Sequence, residues 1–265
     1  MTPDTHVHRN HAMKLSLLTF NIARDMPLEE VIRVAKETGF AAIEFRAEAN
    51  HAHGVEPSLS AEERQQVRRK MEDAYLATSC IGTSSRFESP DPEARKQMVE
   101  HTKQFVELAS DLHCGRVRVF GNDLPKGVDS ADCTKYVGDC LRELGEHAEP
   151  LGVDVLLEMH GQFNFWQYTL AAVEHAAHPR VDIVYNCDPR DVIAGSIAET
   201  YSHVWDRIRH IHLHELDSSY PYKELFGLLR TDGYDGYLSS EIEGSTDPER
   251  VLGLYSALFY AWARG

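Results

Sequence analysis

The chain has 265 residues, 42% of them hydrophobic and 26% charged, with a formal net charge of −15. That composition supplies a large globular core, and the acidic balance disfavours nucleic acid and anionic membranes as partners. No apolar run approaches the ~20 residues of a membrane helix. The opening residues carry no apolar signal core, and the five scattered cysteines form no C-x-x-C pair, so reduced thiols and a cytoplasmic location are expected.

Strand-like and helix-like stretches then alternate. Residues 15–20 form an apolar strand. Pro27 opens a helix with Leu28, Val31, Ile32 and Ala35 on one face, and Gly39 ends it. Residues 41–45 are a second strand. Ser60-Ala61-Glu62-Glu63 is a capping box before a helix to about residue 76. Residues 77–82 are a third strand, and Asp91-Pro92 opens a long helix to about residue 112. Residues 117–120 are a fourth strand, followed by a helix over 130–147.

The second half repeats the scheme. Strands at 153–157, 181–185, around 211–213 and from 237 are followed by helical sequence at 168–175, up to 205, at 221–229, and from Asp247-Pro248 through 259. Alternating β and α segments imply a parallel sheet. Eight such units in this length predict one closed (β/α)8 TIM barrel over residues 13–265, an α/β single domain. Residues 1–12 lie outside the pattern and are expected to be a disordered N-terminal extension.

In such a barrel the active site lies at the C-terminal ends of the strands. The fifth strand ends Leu156-Leu157-Glu158-Met159-His160, and the sixth ends Val184-Tyr185-Asn186-Cys187-Asp188. The seventh is Arg209-His210-Ile211-His212-Leu213-His214-Glu215, and the eighth ends Ser239-Ser240-Glu241-Ile242-Glu243. Alternation turns Ile211 and Leu213 toward the helices and His210, His212 and His214 inward. By the same rule Ile242 faces out, and Glu241 and Glu243 face in. An inward cluster of carboxylates and imidazole suits a divalent cation, because unpaired buried charge is costly and a metal compensates it.

At this point the chain resembles the xylose-isomerase-like barrel superfamily of sugar isomerases and epimerases, from Lys14 onward. Residues 15–21, Glu44-Phe45-Arg46 and Val117-Arg118-Val119-Phe120-Gly121 are similar to its first, second and fourth strands. The resemblance implies one divalent metal ion held by Glu158, Asp188, His212 and Glu241, with Glu243 behind Glu241. Mn²⁺ is the first expectation, and Mg²⁺, Co²⁺ or Zn²⁺ also suit the donors. It implies Glu158 and Glu241 as paired bases acting through a metal-stabilised enediolate. The ketose 3-epimerases of the family place a substrate-binding His and Glu where this chain has Asp191 and Asn164, so its substrate contacts differ from theirs.

His160, His51 and Arg86 complete the expected substrate-binding set with Asp191, Asn164 and Glu243. Glu44 and Arg118, inward on alternate strands, are expected to form an interior ion pair. Phe163, Phe165 and Trp166 are candidates for a pocket wall. The expected activity is metal-dependent isomerisation or epimerisation of a sugar or sugar derivative by a possible homo-oligomer. A dehydroshikimate-dehydratase-like lyase on the same metal site is the alternative. An apurinic-site endonuclease would need more His at strands three and four, which end Thr83-Ser84-Ser85 and Gly121-Asn122. A non-catalytic sugar-binding barrel would not need both glutamates.

Overall fold

A computed structural model of the chain describes residues 13–264; the expectation for residues 1–12 falls outside them. Eight parallel strands close on themselves in sequential order. They are β1 (Lys14–Leu18), β2 (Ala42–Arg46), β3 (Ala77–Arg86), β4 (Arg116–Phe120), β5 (Asp154–Glu158), β6 (Val181–Asn186), β7 (Ile208–Leu213) and β8 (Tyr237–Ser240). β1 closes the ring against β8, with Leu15 opposite Leu238. The single (β/α)8 barrel expected from the pattern is the observed fold.

The helices are α1 (Leu28–Glu37), α2 (Ala61–Asp73), α3 (Pro92–Asp111), α4 (Ser130–Ala148), α5 (Trp166–Ala176), α6 (Ala198–Val204), α7 (Tyr222–Thr231) and α8 (Pro248–Ala263). Their starts follow local chemistry. Ser60 and Glu63 form the reciprocal capping box of α2. Asp91 and Asp247 accept backbone N–H bonds at the heads of α3 and α8, each with Pro in the first turn.

The strands alternate as a barrel demands. Ile43, Phe45, Val117, Val119, Val155, Leu157, Ile183, Tyr185, Ile211 and Leu213 are fully buried in the layer between strands and helices. Ser16, Glu44, Ser79, Arg118, Glu158, His210, His212 and Ser239 are among the buried polar residues of the strands themselves. So the barrel interior is polar toward its C-terminal end, and the apolar core is the ring outside it.

Two stretches differ from expectation. β3 continues to Arg86, with a register shift against β4 between Gly82 and Arg86. Arg86 pairs with Phe120 beyond the irregularity, and the Thr83-Ser84-Ser85 run before it carries no hydrophobic pattern to reveal the extension. β8 stops at Ser240, so alternation does not carry on to residue 243. Among the described residues, no helix is long and apolar enough to cross a membrane, and all five cysteines are buried free thiols.

Candidate metal and active site

Register brings the strand ends together. Glu158 closes β5 opposite Phe120 of β4, and His212 on β7 lies between Asn186 of β6 and Ser239 of β8. Glu241 follows β8, and its backbone N–H bonds Leu213 O at 2.7 Å. The result is a compact group in which ligand atoms of Glu158, His212 and Glu241 all lie within 4.8 Å of one another. His212 Nδ1 is 3.1 Å from Glu158 Oε1 and 3.4 Å from Glu241 Oε2. His212 is 0% exposed and Glu158 1%.

Glu158 Oε2 and Glu241 Oε2 are buried and make no well-aligned hydrogen bond; Arg118 Nε lies 2.9 Å from the first, and His212 Nδ1, at 3.4 Å, is the nearest positive group to the second. A buried carboxylate oxygen so weakly met is costly, and a cation would satisfy it. Two carboxylate oxygens and one imidazole nitrogen are a fitting donor set for Mn²⁺, Mg²⁺, Co²⁺ or Zn²⁺. The residues present therefore fit a divalent cation.

Electrostatics point the same way. Burial alone would raise Glu158, but Arg118 and then His212 outweigh it and hold its pKa at about 2. Burial would also favour neutral His212, yet Glu44 and Glu158 push its pKa well above the usual imidazole value. The site thus concentrates negative charge around one imidazole.

Asp188 stands outside this group. It heads a short turn, Pro189–Asp191, and Arg190 two residues on grips it, with Nε to Oδ1 and Nη2 to Oδ2 both at 2.7 Å. That ion pair, together with the Arg190 backbone N–H, lowers the Asp188 pKa against its burial. The structure therefore brings together three of the four ligands named from the sequence. Arg190 occupies the fourth.

The expected Glu44–Arg118 pair is replaced by two other contacts. Arg118 Nε lies 2.9 Å from Glu158 Oε2, and its Nη1 donates to Thr83 O at 2.6 Å. Glu44 instead meets His210 Nε2 at 2.8 Å and His212 Nε2 at 3.1 Å. Both residues face inward as alternation requires, but the closed barrel sets β4 beside β5 and carries Glu44 across to β7. A one-dimensional pattern gives the face and not the partner.

The substrate-binding expectations divide. His160 is exposed at the mouth above Glu158, its Nδ1 2.9 Å from Asn122 Oδ1 and its ring tilted on Phe120. His51 is 5% exposed, stacked with His53, and neither ring nitrogen has a partner. Arg86 is more than half exposed, its Nε 4.0 Å from Glu88 Oε1. Glu243 does not face inward. Past the end of β8 the chain turns out, leaving Glu243 exposed and lining a cavity of about 440 Å³ with Ile242, Leu254 and Leu258 against α8. Of the three candidate wall aromatics, Phe163 is buried against Gly121, Trp166 stacks on His203 at 3.7 Å, and Phe165 is exposed.

Asn164 and Asp191 hold each other: Asn164 Nδ2 donates to Asp191 Oδ1 at 2.8 Å, and both are 1% exposed. Tyr220 and the Asp188 N–H also bond Asp191. Burial raises the Asp191 pKa from 3.8 to about 7. A folded pKa above the unfolded one means stability is complete below pH 3.8, declines as pH rises toward 7, and stays reduced above. Asp191→Asn removes this cost, and Asn164, whose Oδ1 has no partner, can turn its amide to accept the new N–H. The variant should gain roughly 2–4 kcal/mol at pH 8, a Tm rise of several degrees, and almost nothing near pH 4. Thermal unfolding at the two pH values checks this; equal Tm values at pH 8 would show Asp191 to be ionised at no cost.

Sequence reading missed two partners, Glu44 for His212 and Arg118 for Glu158, and also Asn122, which holds His160 from a left-handed backbone at φ 60°. The only signal for the first two was their inward position on β2 and β4.

The chain is 22% identical over 252 residues to fructoselysine 3-epimerase of Shigella flexneri, covering 87% of this chain and 90% of that protein. Its fold matches D-psicose 3-epimerase from Clostridium cellulolyticum H10 with a TM-score of 0.80 at 16% identity, covering 95% of this chain and 99% of that one. It also matches the probable 3-DHS dehydratase AsbF of Bacillus anthracis with a TM-score of 0.74 at 17% identity, covering 94% and 99%. Residues 32–256 match the model of the xylose isomerase-like TIM barrel, and the chain belongs to that family.

Proposed function

We propose that this chain is a divalent-metal-dependent epimerase or isomerase of a sugar derivative. The observation that carries the reading is the convergence of Glu158, His212 and Glu241 at the C-terminal end of the barrel. Similarity to a fructoselysine 3-epimerase over most of the chain supports a substituted ketose as substrate. Glu158, His212 and Glu241 would hold the cation, with Asp188 joining them in place of its contact with Arg190. A cation bound there supplies the positive charge that stabilises the oxygens of an enediolate.

The chain's own residues do the proton work. One glutamate takes the proton from the carbon beside the carbonyl, and the C–H electron pair moves into the carbonyl. The other glutamate returns a proton to the opposite face, which inverts the carbon. Glu158 and Glu241 come from strands on either side of His212, as two-faced transfer requires. Glu158, held ionised by Arg118, stands ready to take the proton, and Glu241, its side chain 20% exposed and without an Arg partner, is placed to return one; the roles exchange for the opposite epimer.

A dehydratase is the second reading. One observation favours it over a free-ketose epimerase: Asn164 and Asp191 are buried against each other and are not open to a free ketose. A single experiment separates the readings. Metal-loaded protein is incubated in heavy water with ketoses, amino-acid-substituted ketoses and dehydroshikimate-type acids, and products are analysed by mass spectrometry. Deuterium at the carbon beside the carbonyl, with a new epimer, supports epimerisation. Loss of water supports the lyase. Neither change with any substrate would sink both.

A further inference from the structure

We infer that Glu44 is a positioning residue of the proposed metal site, fixing the ring of His212 so that Nδ1 is offered to the cation. The inference rests on the metal reading above. The His212 ring has two nitrogens with different surroundings. Nδ1 faces Glu158 and Glu241, while Nε2 faces both oxygens of Glu44, at 3.1 and 3.2 Å. Glu44 and His212 are both 0% exposed, so no water competes for the contact.

The donor assignment follows from the acceptor. An ionised carboxylate can only accept, so Nε2 must carry the hydrogen. Nδ1 also meets a carboxylate, Glu158 Oε1 at 3.1 Å, so it carries a hydrogen in the metal-free site; a cation among Glu158, His212 and Glu241 would replace that hydrogen and receive the Nδ1 lone pair, while Nε2 stays bonded to Glu44. A carboxylate on the far nitrogen of a metal-binding imidazole fixes the ring and strengthens it as a ligand. Glu44 reaches His212 across the barrel from β2, 168 residues away in sequence.

Glu44 is itself held. Its Oε2 accepts from His210 Nε2 at 2.8 Å, and Ser239 Oγ lies 2.9 Å from the same nitrogen. His210 Nδ1 is buried without a partner, which is tolerable for a bare lone pair and costly for an N–H. With its hydrogen on Nε2, His210 serves Glu44 and leaves only a lone pair buried at Nδ1. Cys80 also stands within ligand range of Glu44 and His210, but burial followed by Glu44 drives its thiol pKa well above the usual value. It is a neutral wall and not a second thiolate site. Gly82 leaves the space: a Cβ there would lie 3.4 Å from Glu44 Oε1 and 3.1 Å from Arg118 Nη2.

The test is Co²⁺ titration of the full-length chain, followed by calorimetry and by the visible absorption of the bound ion. The proteins are wild type, Glu44→Gln, Glu44→Ala and His212→Ala, each first shown by circular dichroism to be folded without metal. Glu44→Gln keeps an acceptor oxygen without the charge and should weaken Co²⁺ about 10-fold; Glu44→Ala should weaken it roughly 100-fold. Both should shift the absorption bands, since the ring becomes a poorer and less fixed ligand. If Glu44→Ala fails to fold, Glu44→Gln alone decides. Wild-type affinity and bands in the folded Glu44 variants, with binding lost in His212→Ala, would overturn the role of Glu44 and leave the metal site standing. Absence of Co²⁺ from wild type would overturn the metal reading and this inference together.

Discussion

Glu241→Gln should cut epimerisation roughly 10²–10⁴-fold at saturating divalent metal, the range expected for loss of a positioned proton-transfer group. Glu158→Gln should cost at least as much, because Glu158 is both a ligand candidate and the partner of Arg118. The two variants should differ in a telling way. With two bases, each glutamate serves one epimer. Each variant should lose heavy-water exchange from one epimer while retaining slower exchange from the other, and neither should interconvert them. Both epimers are therefore supplied separately, with bound metal measured in the same samples. Equal exchange from both epimers in either variant would mean that a single base works on both faces, which is the route to aldose–ketose isomerisation.

The second large effect concerns stability. Arg118 is 3% exposed, and its side chain touches Glu158, Thr83 O and the face of Phe120 at 4.0 Å. Arg118→Leu leaves Glu158 buried without its strongest positive neighbour. Breaking a buried pair from one side costs about 3–5 kcal/mol, which corresponds to a Tm loss of about 10 °C for a chain of this size. Arg118→Lys keeps the charge and should lose less. The pH dependence has a definite sign. The folded pKa of Glu158 is depressed to about 2 from the model-compound value of 4.5, so its contribution is complete above 4.5 and is lost as pH falls toward 2. The gap between wild type and Arg118→Leu should therefore be widest near neutrality and narrow on acidification. Thermal unfolding of metal-free protein across that range measures it; a constant gap would assign the loss to packing.

The added cation should reverse part of such losses. Anything that binds only the folded state raises its stability with concentration. The buried Oε2 of Glu241, 3.4 Å from His212 and without a hydrogen bond, is the group that gains most.

By itself the sequence determined the barrel. Its order of strands and helices is local chemistry: caps such as Ser60 and Asp91, stops such as Gly39, and apolar runs with one face toward the helices. A parallel strand between helices has a fixed alternation, so Ile211 and Leu213 outward and His210 and His212 inward could be read from one segment. The position of the mouth followed, and with it Glu158, His212 and Glu241.

Only the tertiary structure decided partners. Glu44 meets His212, Arg118 meets Glu158, and Arg190 holds Asp188. Each contact depends on ring closure, on inter-strand register or on a turn two residues long, and none leaves a periodic trace. Glu243 shows the same limit from the other side. Alternation is a property of strand backbone, and it lapses past the end of β8, beyond the bond from Glu241 N–H to Leu213 O. The faces of the strands are set by local geometry that every residue carries along the chain. The pairings are set by distances across the barrel, and those exist only once it has closed.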